Sequence, residues 1–486
     1  MRSLPVWSSR RARFALAWVL SAVASAAAAA EPASLLAAAK SGAAAEVQKL
    51  LESGATPNEA DADGTSALHW AVHRGAIDSV RALLARGAAV DAENRYGIRP
   101  AYLAAENGDA ATMRVLLEAG ADAHAVFAEG ETLLMTAART GDVPTLEVLI
   151  AAGVDVDAKE SRGGQTALMA AAAANNGAAI IALLEAGADR DLREATGELT
   201  ALGFAVRAGA VDAARALLVA GADASAALPD GTSMLMLAAM NQNYEVGALL
   251  LDHGADPNAA VDGWTVLHQI ARVRRWTRGF NLPGPEHRDG LSSLDLARKL
   301  AARGADVNVP QTGREGGTTP FLLATKSLDL PYMQTLLELG ADPKLKADDG
   351  TTAVMIAAGV GQGQGSAGAA PGSVEEALAA LALTLELGAG TVNDVNSRNE
   401  TPMHGVMYRG GSLALIDFLV ERGASLEGVV NSRGWTPLRI ADGVGLDGLA
   451  FIRYPEAAEH LRALMRKRGL PVPPVEWDGP REASAP

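Results

Sequence analysis

The 486-residue chain contains no cysteine, which excludes disulfides, thiolate metal sites, covalent haem attachment and a lipidated cysteine. Stability must therefore come from packing. Aromatic residues are only 4% of a chain that is 49% hydrophobic, so its apolar content is mainly Ala, Leu and Val. Such residues suit closely stacked helices better than strands, which favour β-branched and aromatic side chains. Past the first thirty residues, no segment approaches the ~20 consecutive apolar residues of a membrane-spanning helix. Basic residues are outnumbered, 42 Lys and Arg against 57 Asp and Glu. That balance makes the chain a poor ligand for nucleic-acid phosphates.

Catalytic patterns are missing as well. There is no Gly-x-Ser-x-Gly elbow and no His-Glu-x-x-His, and acidic residues are too common to nominate a catalytic pair. The glycine-rich run Gly359 to Gly365 follows a helical pattern rather than a strand and lacks the Lys-Ser or Lys-Thr that closes a phosphate loop. His69 and His73 are four apart, a chelating interval on a helix, but no third ligand lies in the same stretch. No enzyme activity, metal or cofactor is expected.

What is present begins with residues 1–30, which read as an export leader. Arg2, Arg10, Arg11 and Arg13 form a basic start, Phe14 to Ala24 an apolar core, and Ala28-Ala29-Ala30 a small-residue cleavage site before Glu31. Ser9-Arg10-Arg11 is similar to the opening of a twin-arginine signal, so both that route and ordinary secretion stay open. Cleavage removes four arginines and no acid, leaving 38 basic against 57 acidic residues, net −19. The product is expected in the periplasm or the medium.

The rest of the chain is periodic. Leu-Leu pairs precede a glycine at Gly54, Gly87 and Gly120, and the series continues at Gly153, Gly187, Gly221 and Gly254, at intervals of 33 or 34 residues. Between these glycines stand opening phrases such as Gly64-Thr65-Ser66-Ala67-Leu68-His69, Thr401-Pro402-Met403-His404 and Thr436-Pro437-Leu438, and dividing glycines such as Gly75, Gly108, Gly141 and Gly209. Thr or Ser can cap a helix whose first turn tolerates Pro. Small Ala pairs such as Ala104-Ala105, Ala137-Ala138 and Ala238-Ala239 allow close approach, and Leu-Leu gives the second helix a buried face. The closing glycine takes a left-handed cap. Asp78, Asp109, Asp142 and Asp212 fall near the positive end of the second helix.

Period and phrase together resemble ankyrin repeats. The resemblance implies an all-α solenoid of about twelve helix-turn-helix units with hairpin-like turn fingers. It also implies that His69, His268 and His404 make a structural hydrogen bond to the turn. After Gly254 the intervals widen to 50, 36, 48, 35 and 46 residues, ending at Gly469, with insertions at Arg272 to Asp289 and Gly359 to Gly372. The expected organisation is a leader at 1–30, regular repeats with an N-terminal cap at 31–260, repeats with insertions and a C-terminal cap at 261–469, and an unfolded proline-rich tail at 470–486.

In ankyrin architecture, the resemblance further implies, the ends of the first helices and the turn tips are free to bind partners. Arg74, Arg139, Arg207, Arg272 and Arg409 recur at the helix ends, interrupted by Glu106, and form a candidate basic groove for an acidic contact surface. The alternative is that they pair with nearby acids and are simply solvated. At the turn tips stand Arg95, Tyr96, Arg162, Trp264, Arg398, Arg433 and Trp435, residue types common at interface hot spots. Trp264 and Trp435 alternatively shield neighbouring turns. The function these readings favour is a protein-binding module outside the cytoplasm. Its rival is a structural accessory that stabilises an exported enzyme or envelope complex.

Overall fold

Capping sets the start of most inner helices. In the computed structural model, Ser66, Thr132, Ser233, Thr319 and Thr436 each accept the backbone N–H three residues on, at 3.0–3.4 Å. Pro320, Pro402 and Pro437 follow their capping threonines in the first turn, where no hydrogen bond is lost. The structure describes residues 34–275, 290–312, 316–361, 372–446 and 450–476. The leader, the interior of both insertions and the end of the tail lie outside the described residues.

Twelve helix pairs are present among the described residues, each an inner helix followed by an outer one. They fall into two compact units dividing between Asp155 and Val156. The first holds four pairs, from Leu35–Ser41 with Ala44–Glu52 to Leu133–Thr140 with Val143–Ala151. The second holds eight, from Ala167–Ala173 with Gly177–Glu185 to Pro437–Asp442 with Pro455–Lys467. Within each unit, inner helices pack on inner and outer on outer. The Ala pairs 104–105, 137–138 and 238–239 are fully buried, as close stacking requires. Of the leucine pairs, one member goes to the core (Leu51, Leu83, Leu116) while its neighbour is half-buried.

The closing glycines, Gly54 through Gly469, all have φ between +65° and +95°, the left-handed cap expected of them. The dividing position needs the same conformation, and Gly75 and Gly141 supply it. Where the chain lacks a dividing glycine, Asn175, Gln242 and Leu328 adopt φ of +60°, +60° and +55°. The turn geometry overrides the residue's own preference. Asp109 and Asp142 accept the N–H of Thr112 and Thr145 at 2.9 Å, so they are true caps of their outer helices, while Asp78 and Asp212 are the second residues of theirs, two past the cap.

Fingers join neighbouring pairs. Ala60 bridges Ser66 and Val126 bridges Thr132 across two of them, and several fingers donate to the one before. Arg95 N–H bonds the Asp63 carbonyl in the first unit, and Ser397 and Ser432 bond the Asp349 and Arg398 carbonyls in the second, all at 2.8 Å. Two features depart from expectation. A two-stranded antiparallel hairpin, Val444–Leu446 with Ala450–Ile452, lies between the helices of the last pair. The tail expected to be unfolded is held over residues 471–476 by Arg462 and Arg439. No helix of the described residues is long and apolar enough to cross a membrane.

Candidate interaction surface

Three fingers share a turn built on one asparagine. Its side-chain oxygen accepts the backbone N–H two and four residues later: Asn94 from Tyr96 and Ile98, Asn396 from Arg398 and Glu400, Asn431 from Arg433 and Trp435, at 2.9–3.0 Å. Asparagine does this because its short amide reaches its own following backbone. The three anchors are themselves buried. What they present is an arginine and, on two fingers, an aromatic ring.

On the first of these fingers, the Arg95 guanidinium lies 4.8 Å from the Tyr96 ring centre and bonds its hydroxyl. Tyr96 is 47% exposed. On the last, exposed Arg433 lies 5.3 Å from the ring of half-buried Trp435. A third arginine and aromatic pair forms without the asparagine: Arg272 lies 5.9 Å from Trp264, whose indole N–H donates to Gln269 at 3.1 Å. Stacking of this kind holds a guanidinium in place against its ring. Arg162 is exposed, on a turn held by the Glu160 carboxylate.

The middle finger is different. Arg398 pairs with Glu400 at 3.0 Å and Asp349 at 3.2 Å. Tyr408, from the inner helix Pro402–Tyr408, donates to Glu400 at 3.0 Å and accepts from Asn431 at 3.0 Å. Burial, with the Glu400 charge, pushes the Tyr408 hydroxyl far up from its usual range. Arg398, Arg433 and Trp435 are thus brought together through Glu400, Tyr408 and Asn431, residues that the sequence reading missed. The Asn-x-Arg spacing at 396–398 and 431–433 was the available signal.

The five arginines read as a groove stand where expected, at the ends of inner helices, but do not form an even basic stripe. In the first unit, Arg74 is exposed and donates to the Lys40 carbonyl at 2.7 Å, and Arg139 pairs with Glu131. Near that pair, burial and the charges of Glu131 and Glu106 push Tyr102 up to about 12. In the second unit Arg207 lies 4.7 Å from the Phe204 ring, and Arg272 faces Trp264. Arg409 is half-buried, and burial brings its pKa down to about 10 against the opposing pull of Glu376. Glu376 itself is held down to about 2, chiefly by its bond to Arg275.

Three of the histidines are committed to structure. His69 accepts the Ser66 N–H on Nδ1 at 3.1 Å, and its Nε2 meets the Ile98 carbonyl of the next finger at 2.9 Å. His268 and His404 repeat this with the Thr318 and Trp435 carbonyls at 3.0 and 3.1 Å. Both ring nitrogens of each are occupied, which is the turn bond the resemblance implied.

No curated protein matches the chain. A crystal structure of the human ASB11 ankyrin repeat domain is 29% identical, over 46% of this chain and 98% of that one, with a TM-score of 0.42. The family described as Ankyrin repeats (3 copies) matches residues 35–127, 102–194 and 202–275. Capped helix pairs, left-handed closing glycines and bridging histidines accord with this match, and the chain carries ankyrin repeats over residues 35–194 and 202–275.

Proposed function

We propose that this chain is a protein-binding module acting outside the cytoplasm, with its finger tips and inner-helix ends as the contact surface. Ankyrin repeats as a class bind proteins on extended surfaces of this kind. The observation that carries the reading is the asparagine-anchored turn, which fixes Arg95 with Tyr96 and Arg433 with Trp435 at exposed tips before any partner arrives. Preorganised arginine and aromatic groups lose little freedom on binding and are typical hot-spot residues. The partner surface they suit is acidic and partly apolar. The leader at residues 1–30 supports a location in the periplasm or medium.

The test is affinity capture from periplasmic extract with residues 31–486. A stoichiometric partner should be retained by the parent chain and lost when Arg95, Tyr96, Arg433 and Trp435 are changed to alanine. A second variant, Arg139→Glu with Arg207→Glu and Arg272→Glu, reports the groove. Retention by both variants would remove this surface from the function. Sequencing the amino terminus of the exported protein should give Glu31; an intact leader would place the chain elsewhere.

A further inference from the structure

The outer helix Pro455–Lys467 is the last helix among the described residues, and Arg462 in its middle is only 5% exposed. Cover comes from residues 471–476, Pro-Val-Pro-Pro-Val-Glu, whose prolines keep the chain extended and remove backbone donors while leaving carbonyls free. Those carbonyls are what the groove reads. Arg462 is fixed by an ion pair with Asp442 at 2.6 Å, both side chains more than nine-tenths buried. Its guanidinium also donates to the Pro473 and Pro474 carbonyls at 3.4 Å.

Two further contacts read the end of the segment. Arg439 pairs with the Glu476 carboxylate at 3.2 Å and bonds its carbonyl. Asp442 accepts the Glu476 N–H at 3.4 Å. Val475 is 63% exposed and contributes little. Recognition therefore rests on an extended backbone with free carbonyls and one carboxylate. The long bonds, at 3.4 Å, hold the segment loosely. Beside Pro473 lies a cavity of about 360 Å³, lined by Val392, Met403, Leu438, Leu461 and Met465 together with polar residues such as Asn393 and Glu427.

We propose that this groove is a binding site for extended, proline-containing segments that carry a carboxylate. Residues 471–476 fill it within the chain, and a like segment of a partner protein displaces them. The residues that hold the segment, Arg439, Asp442 and Arg462, are not among those proposed to bind at the finger tips, so the proposal stands apart from the function argued above.

The test uses a fluorescent peptide copying residues 471–476 and the full chain. Glu476→Lys sets a lysine against Arg439 and releases the internal segment while leaving Arg439, Asp442 and Arg462 in place. Peptide binding should tighten at least tenfold over the parent chain. Adding Arg439→Glu to Glu476→Lys re-forms the pair with reversed charges, and peptide binding should fall back. Thermal melting confirms that each variant is folded, and a chain ending at Leu470 gives the same reading by a second route. Equal peptide binding to folded parent and Glu476→Lys chains, no peptide binding to either released chain, or binding that survives the charge swap would overturn the proposal.

Discussion

The helix opened by Ser66-Ala67-Leu68-His69 and the one opened by Thr132-Leu133-Leu134-Met135 lie in the same compact unit and start alike. They differ in how the third helical residue serves the turn. His69 accepts its cap's N–H on Nδ1 at 3.1 Å and reaches the Ile98 carbonyl with Nε2. Because Nδ1 accepts, the ring proton sits on Nε2 and the ring is neutral. Met135 offers its sulfur to the Thr132 N–H at 3.5 Å and has no proton to donate onward. The histidine thus links its unit to the next finger by a polar bond, while the methionine contributes apolar contact. A polar bridge of this kind depends on protonation and an apolar contact does not.

The largest effect should come from deleting a bridge. His268→Ala leaves a cavity in the core together with an unpaired Thr265 N–H, while the Thr318 carbonyl keeps only the Gln311 N–H. The expected cost is about 3–5 kcal/mol, measured by urea unfolding of the parent and variant at neutral pH. A cost below about 1 kcal/mol would show that water or a neighbour replaces the ring.

Acid should produce the next effect. Burial brings the His268 pKa down from 6.5 to about 4, and burial shifts His69 and His404 in the same direction. The unfolded chain takes up its proton near 6.5 and the folded chain does so only near 4, so stability is full above 6.5 and is lost as pH falls towards 4. For His268 alone the loss is on the order of 3 kcal/mol. Glu376 acts in a lower window, from 4.5 down to about 2. Unfolding series at pH 7.5, 6, 5 and 4 should show the slope, flattened when His268 is replaced by Met; an unchanged slope in that variant assigns the acid sensitivity elsewhere.

Met135→Ala should cost about 2–3 kcal/mol by cavity formation, with little change in that cost between pH 7.5 and 5. A strong pH dependence of the difference would erase the contrast between the two kinds of link. The smallest effect concerns the turns. Asn258 accepts the Asp306 N–H and donates to the Gly304 carbonyl, whereas Asp91 accepts the Asp122 N–H and has no amide to give. Asp91→Asn should therefore add a bond to Gly120 and stabilise by about 0.5–1 kcal/mol, readable as a small rise in melting temperature.

Legibility in the sequence followed the range of the interaction. Gly54 and its successors announced left-handed caps because few other residues tolerate them. Arg95 with Tyr96 and Arg433 with Trp435 are neighbours in the chain, so their stacking lay within reach of local reading. The link between Arg398 and Asp349 spans 49 residues, and the one between Arg275 and Glu376 spans 101; neither has a local mark. The same holds for the contacts of Pro473, Pro474 and Glu476 with arginines on two different helices, in a stretch whose composition suggests disorder.

The sequence by itself determined the period, the helix starts and stops, and the small residues that let inner helices stack, because each depends on side chains within one turn or one repeat. Tertiary structure alone decided which arginines stay open at the surface and which are drawn to a carboxylate or a ring, that Leu328 takes a glycine's conformation, and that Arg462 is covered by residues 471–476. These outcomes depend on which distant groups the stacked repeats bring within about 3–6 Å, the range over which hydrogen bonds, ion pairs and cation–π contacts act.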